Sequence, residues 1–115
     1  MTIQTATMKN ALATAYGTTA THVALYTTVP GGSQGTEVTG GSPAYARKAI
    51  SWGAPSNGVI TGVVVFDVPA GTTVAGAGVH SASSGAGNYL DGAAVTSQAF
   101  ATQGTYTLTV TSTIS

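Results

Sequence analysis

The chain has 115 residues with three basic and three acidic side chains, no net charge at pH 7, no cysteine and 16 glycines. Disulfides and thiolate sites are therefore excluded. Charged residues make up 5% against about 25% in an average domain, too few for the basic stripe that neutralises phosphates. Slightly positive mean hydropathy also argues against disorder.

One domain over 1–115 is expected, with a modest core, because the 43% apolar fraction leans on Ala and Val and holds two Phe and one Trp. Extra burial by self-association or docking is expected, and a weakly charged surface does little to oppose it. The start "MTIQTATMKN" lacks the basic and apolar regions of a secretory signal. The longest bulky apolar run, "VVVF" at 63–66, is too short to span a bilayer. Synthesis in the cytoplasm, with no membrane and no nucleic acid as partner, is the expectation.

The first segment, 1–17, reads as a helix: Met8, Leu12, Ala15 and Tyr16 share a face, Thr2 or Thr5 caps the start and Gly17 ends it. A period of two follows. In "THVALYTTV" (21–29) Val23 and Leu25 alternate with His22, Ala24 and Tyr26, and a long loop rich in breakers spans 30–43. "YARKAISW" (45–52) and "VITGVVVF" (59–66) form a hairpin through the Asn57-Gly58 turn. After a turn at 67–71, the strand 72–82 carries Gly76 and Gly78, which signal a bulge or a close backbone approach. The loop 83–87 leads to 88–100, read as two short strands broken at Asp91-Gly92. In the last strand Tyr106, Leu108, Val110 and Ile114 alternate with threonines, one face buried and one wet. The whole predicts an all-β fold, an antiparallel β-sandwich or jelly-roll-like barrel over 21–115 with one short N-terminal helix.

Chemistry-bearing signals are sparse. "GGSQG" (31–35) fits a nucleophile pattern, and Ser33, Asp67 and His80 follow the hydrolase order. The strand, strained turn and helix that the motif requires are missing, so Ser33 reads as a loop residue. His22 and His80 have no second ligand at metal spacing and read as interfacial or hydrogen-bonded strand histidines. Asp67 and Asp91 read as turn residues that bond the backbone beyond them. No phosphate loop is present. The expectation is no enzyme, no catalytic residue, no metal and no cofactor. The scattered aromatics, among them Tyr16, Tyr26, Tyr45, Trp52 and Tyr89, read as half-buried or sheet-edge residues, with a sugar-binding face as the alternative.

The stretch "EVTGGSPAYARKAISW" (37–52) gathers Glu37, Arg47 and Lys48, half of all the charges. Glycines between Glu37 and Arg47 let the loop fold back, so the two can meet as a bidentate pair that pins the loop to the sheet. Glu37, Arg47, Tyr45 and Trp52 are the candidate structural clamp. Met8, Leu12, Tyr16, Tyr26 and Tyr89 are candidate interface residues; the first three either close one end of the sandwich or dock onto a neighbour.

The same stretch, with "FDVPAGTTVAGAGVHSASSG" after it, resembles a family of small β-rich virion proteins of tailed bacteriophages, especially of actinobacterial hosts. The shared pattern is Glu-x-x-Gly, then Tyr-x-Arg entering a strand, an aromatic after it and later Phe-x-x-Pro-x-Gly-x-Thr, over about residues 36 to 110. Members are labelled minor capsid, capsid decoration or tail-fibre proteins. The resemblance implies a structural, non-enzymatic virion component. Lacking a coiled-coil or repeat shaft, the chain is expected to be a capsid decoration or minor capsid protein on the virion capsid surface, docked on the major capsid protein as a homotrimer. The alternative is a tail-fibre or tail-tip adhesin that binds host surface glycans.

Overall fold

The computed structural model describes residues 2–85 and 87–114. Met1, Ala86 and Ser115, which fall in the expected first segment, the 83–87 loop and the end of the expected sandwich, lie outside the described residues.

The elements run α1 (Ala6–Thr19), β1 (His22–Tyr26), β2 (Lys48–Ala49), β3 (Val59–Val68), β4 (Thr72–His80), β5 (Tyr89–Phe100) and β6 (Gly104–Thr113). The strands form an antiparallel four-stranded sheet in the order β2-β1-β4-β5 and a two-stranded sheet, β3-β6. Together with α1 they make an all-β sandwich with one short helix. Its core lies between the sheets, where Val23, Leu25, Phe66, Val68 and Val74 are fully buried. Each such side chain contributes roughly 1.5–3 kcal/mol. The molecule is elongated, 47 × 24 × 23 Å.

Helix α1 starts where Thr5 places its hydroxyl 3.2 Å from the Met8 N–H, satisfying a donor that the first turn leaves free. It continues two residues past Gly17, the expected stop, and closes with the Ala20 N–H on the Tyr16 carbonyl at 2.8 Å. Gly17 has another use: a Cβ there would stand 3.0 Å from Cδ1 of Trp52. The docked face is accordingly the small one, Ala13, Gly17 and Ala20 with Tyr16, set against β3. Met8 and Leu12, expected either to close the sandwich or to meet a neighbour, do not close it: they are 53% and 39% exposed, because only small side chains allow this close approach.

Strand β1 lies between β2 and β4 and is buried on both faces from Val23 to Tyr26, where alternation predicted one. The expected hairpin of 45–52 with 59–66 is reduced to its turn. Ser56 and Val59 exchange both backbone bonds at 3.0 Å, and Asn57 and Gly58 take φ of 49° and 81°, the left-handed pair that a two-residue hairpin turn requires. Beyond the turn the chains part. β3 pairs instead with β6, from Val59 opposite Thr113 to Val68 opposite Gly104, since a partner of equal length satisfies every rung. Residues 48–53 cross between the sheets, with the Ile50 N–H on the Thr21 carbonyl (3.1 Å) and the Gly53 N–H on the Thr61 carbonyl (2.9 Å).

The expected break at Asp91-Gly92 is absent; β5 is one strand of 12 residues. Gly92 stays in the ladder opposite Gly78, and a Cβ on it would strike the Tyr89 hydroxyl at 2.6 Å, so its role is close packing. The ladder is irregular at two places: beside Asp91, where β4 advances from Val79 to His80 while β5 steps from Asp91 to Tyr89, and further along, where β4 goes from Val74 to Gly76 while β5 steps from Gln98 to Ala94. Both effects read from Gly76 and Gly78 occur, the bulge at the first and close approach at both.

Candidate functional site

The charged stretch folds into a polar junction at the edge of the larger sheet. The loop after β1 returns alongside it, with the Thr27 N–H on the Thr36 carbonyl (2.8 Å) and the Val38 N–H on the Leu25 carbonyl (3.1 Å). This return sets Glu37 opposite Tyr26. Arg47 Nε donates to Glu37 Oε2 and Nη2 to Oε1, each at 2.9 Å. Nη2 also donates to the Gly85 carbonyl at 2.7 Å, and Nη1 to the Ala82 carbonyl at 3.3 Å and to Asn88 Oδ1 at 2.9 Å. All five guanidinium N–H groups are therefore engaged. The Tyr45 hydroxyl donates to Glu37 Oε2 (2.8 Å) and accepts from the Leu25 N–H (3.0 Å), while its ring stacks on Phe66.

Electrostatics follow from this geometry. Burial alone would raise the Glu37 carboxyl, but the bonds from Arg47 and Tyr45 overcome it and hold the group below its usual range. Burial opposes the charge on Arg47 as well, and Glu37 outweighs it, so the guanidinium is held more firmly protonated. The Tyr45 hydroxyl is pushed up, by burial first and then by the neighbouring carboxylate.

The network continues inward. Asn88 Oδ1 receives an Arg47 donor, so it also accepts from His80 Nδ1 at 2.7 Å, and Asn88 Nδ2 donates to the Ser84 carbonyl at 2.7 Å. His80 is thus the neutral Nδ1–H tautomer, and its Nε2 accepts from the Tyr26 hydroxyl. His80 is fully buried. Burial lowers its pKa first, and the nearby Arg47 charge adds to this.

The other residues singled out in the sequence lie elsewhere. Trp52 does not join the junction: its Nε1 donates to the Ala20 carbonyl at 2.9 Å and its ring meets Tyr16 edge-on at 6.0 Å, which fastens the helix. Tyr26, expected at an interface, is fully buried beneath Tyr89 and His80. Tyr89 is half-buried and donates to the Gly31 carbonyl at 2.7 Å. Tyr16 donates to Asp91 Oδ2 at 3.1 Å; burial first, then that carboxylate, push its hydroxyl up to about 12.

Asp91 and Asp67 lie within β5 and β3, not in turns. Asp91 does bond the next residue, accepting from the Gly92 N–H at 2.9 Å, and Asp67 lies 4.0 Å from Lys48. Ser33 sits in an exposed loop, and both His80 nitrogens are taken by Tyr26 and Asn88, so Ser33, Asp67 and His80 form no triad. His22 stands opposite His80 across β1 and β4 and bonds Thr21 at 2.9 Å. Among the described residues no group of three or more His, Cys, Asp or Glu could hold a metal.

Sequence reasoning missed Asn88, His80 and Tyr26 as members of the network. They are distant from Arg47 in the chain, and only the pairing of β1 with β4 brings them together. The donor-rich Arg47 beside a Gly/Ser loop was the one available signal. The junction spends its donors and acceptors on the chain itself, joining the loop before β2 to the loop before β5.

No curated protein and no solved structure matches the chain. A family model does, described as podophage GP4 fiber I protein gp80, over residues 2–114. With nearly the whole sandwich and its Arg47 junction inside that match, the chain belongs to this family of phage fibre proteins.

Proposed function

We propose that the protein is a structural, non-enzymatic component of a fibre on a podophage virion. The family match over residues 2–114 supports this reading, and it favours the fibre over the capsid-surface role expected from the lack of a shaft or repeat. The fibre shaft need not be written into this chain, because an elongated body of 47 × 24 × 23 Å can serve as one segment of it.

The test is the copy number of this chain in purified particles, measured by quantitative mass spectrometry against the major shell subunit, with immunogold labelling to place it. A few tens of copies or fewer, labelled at a fibre, is the expected result. A number comparable to the shell subunit, with label over the head, would restore the decoration role. Absence from the particle would end the virion reading.

A further inference from the structure

The sandwich is closed along one flank and open along the other. Residues 48–53 bridge β1 and β3 on the closed flank. On the open flank β5 and β6 run without pairing, joined among the described residues by the Tyr106 hydroxyl on the Thr96 carbonyl at 2.9 Å. A cleft of about 200 Å³ opens between them, floored by Val23, Ala77, Val79, Leu108 and Val110. Its cause is a mismatch of widths, two strands facing four, which leaves Ala93, Ala94 and Thr96 to Ala99 of β5 exposed.

The free edge of β6 is suited to pairing. Edge strands are ordinarily guarded by charge, Pro or a bulge. β5 carries such an irregularity opposite Val74 and Gly76, whereas β6 keeps ten residues in unbroken register with β3, none of them charged or Pro. Beside it Thr107, Thr109 and Thr111 stand opposite Val65, Val63 and Thr61 on an exposed face, with Val63 58% and Val65 51% exposed. Such an edge offers main-chain bonds and β-branched contacts to a strand like itself and meets no like charge in doing so.

We infer that β6 pairs antiparallel with β6 of a second copy about a two-fold axis, forming a four-stranded sheet β3-β6-β6′-β3′ that closes the cleft over β5. Ten residues give an edge of about 34 Å, and covering one strand spacing of about 4.8 Å on each face of it buries roughly 330 Å² per copy. That is under half of the ~800 Å² per partner of a standard interface, which sets the dimer among the weaker associations. The self-complementary edge makes the second copy the fitting occupant. This pairing does not depend on the fibre assignment, so particle counts and solution masses can fail separately.

Sedimentation equilibrium on the full chain tests it, with an expected mass of twice 11.2 kDa. Thr109→Lys and Thr109→Glu each set like charges across the two-fold on an exposed position. Each variant, with the parent's circular dichroism spectrum, should raise the dimer dissociation constant at least tenfold. Mixing the two should restore the dimer. A parent that sediments as a monomer at its highest attainable concentration, a trimer, a dimer untouched by Thr109→Lys, or a mixture that stays monomeric would each overturn the pairing.

Discussion

Arg47 grips Glu37 through two parallel hydrogen bonds of 2.9 Å, with the arginine side chain 3% and the glutamate side chain 21% exposed. Such a pair is more than a surface ion pair, because removing the arginine leaves a half-buried carboxylate and strands the carbonyls of Ala82 and Gly85. Arg47→Ala should cost about 3 kcal/mol, a drop of roughly 10 °C in Tm for a domain of this size. Thermal melts followed by circular dichroism read this directly. A drop within error would show the junction to be worth no more than exposed charges.

Arg47→Lys should recover little of that loss. An ammonium offers three donors from a single point and cannot match the fork that reaches Glu37, Gly85, Ala82 and Asn88 together. Melts of the two variants side by side, with Lys within a few degrees of Ala, are the expected outcome.

Stability should fall as acid is added, in two stages. Burial first, and then the Arg47 charge, hold His80 neutral in the folded chain and lower its pKa, so the unfolded chain binds the proton more readily. By linkage the fold loses stability as pH drops below the ordinary histidine value of 6.5. Glu37, with its pKa lowered in the fold by Arg47 and Tyr45 against the opposing effect of burial, adds a second loss below its ordinary 4.5. Urea titrations from pH 8 down to pH 4 should show a plateau above about pH 7 and a decline below. In His80→Gln the slope between pH 6.5 and 5 should flatten, although the variant starts from a lower plateau.

Gly78 faces Tyr26 so closely that a Cβ would stand 2.5 Å from the phenolic oxygen. Tyr26 is fully buried and bonded to His80, and its ring has nowhere to retreat. Gly78→Ala should therefore destabilise by about 2 kcal/mol, whereas Gly31→Ala, with nothing within 4 Å, should lie within about 0.5 kcal/mol of the parent. Urea midpoints for the two variants check the contrast.

Trp52, the sole tryptophan, ties the end of the helix through the Ala20 carbonyl. Trp52→Phe keeps an aromatic ring near Tyr16 but drops that bond, at a cost of about 1 kcal/mol. The parent's tryptophan emission should report undocking of the helix during urea unfolding and coincide with the circular dichroism transition if the helix and sandwich unfold together.

Much of this architecture could be read from periodicity. The last strand and the Asn57-Gly58 turn are local facts, carried by alternation and by two residues that accept positive φ. What could not be read was choice of partner: β3 and β6 are far apart in the chain, and proximity suggested the hairpin with 45–52 instead. On the helix, hydrophobicity grouped Met8, Leu12 and Tyr16 and left open whether they close the sandwich or meet a neighbour, whereas contact distance gives the closing face to Ala13 and Gly17 with Tyr16. Within the junction, the spacing of Glu37 and Arg47 was visible, while Asn88 and His80 reach it only after β1 and β4 have paired.

The pairing of β3 with β6 also bears on how the chain is made. "VVVF" emerges from the ribosome well before Tyr106 to Thr109, the residues that will lie against it. Through that interval the most β-prone segment of the protein has no sheet partner of its own, and its apolar side chains are open to the wrong contacts. Translation speed over the last third of the message, and access of chaperones to residues 59–68, therefore bear directly on how much folded protein an infected cell obtains.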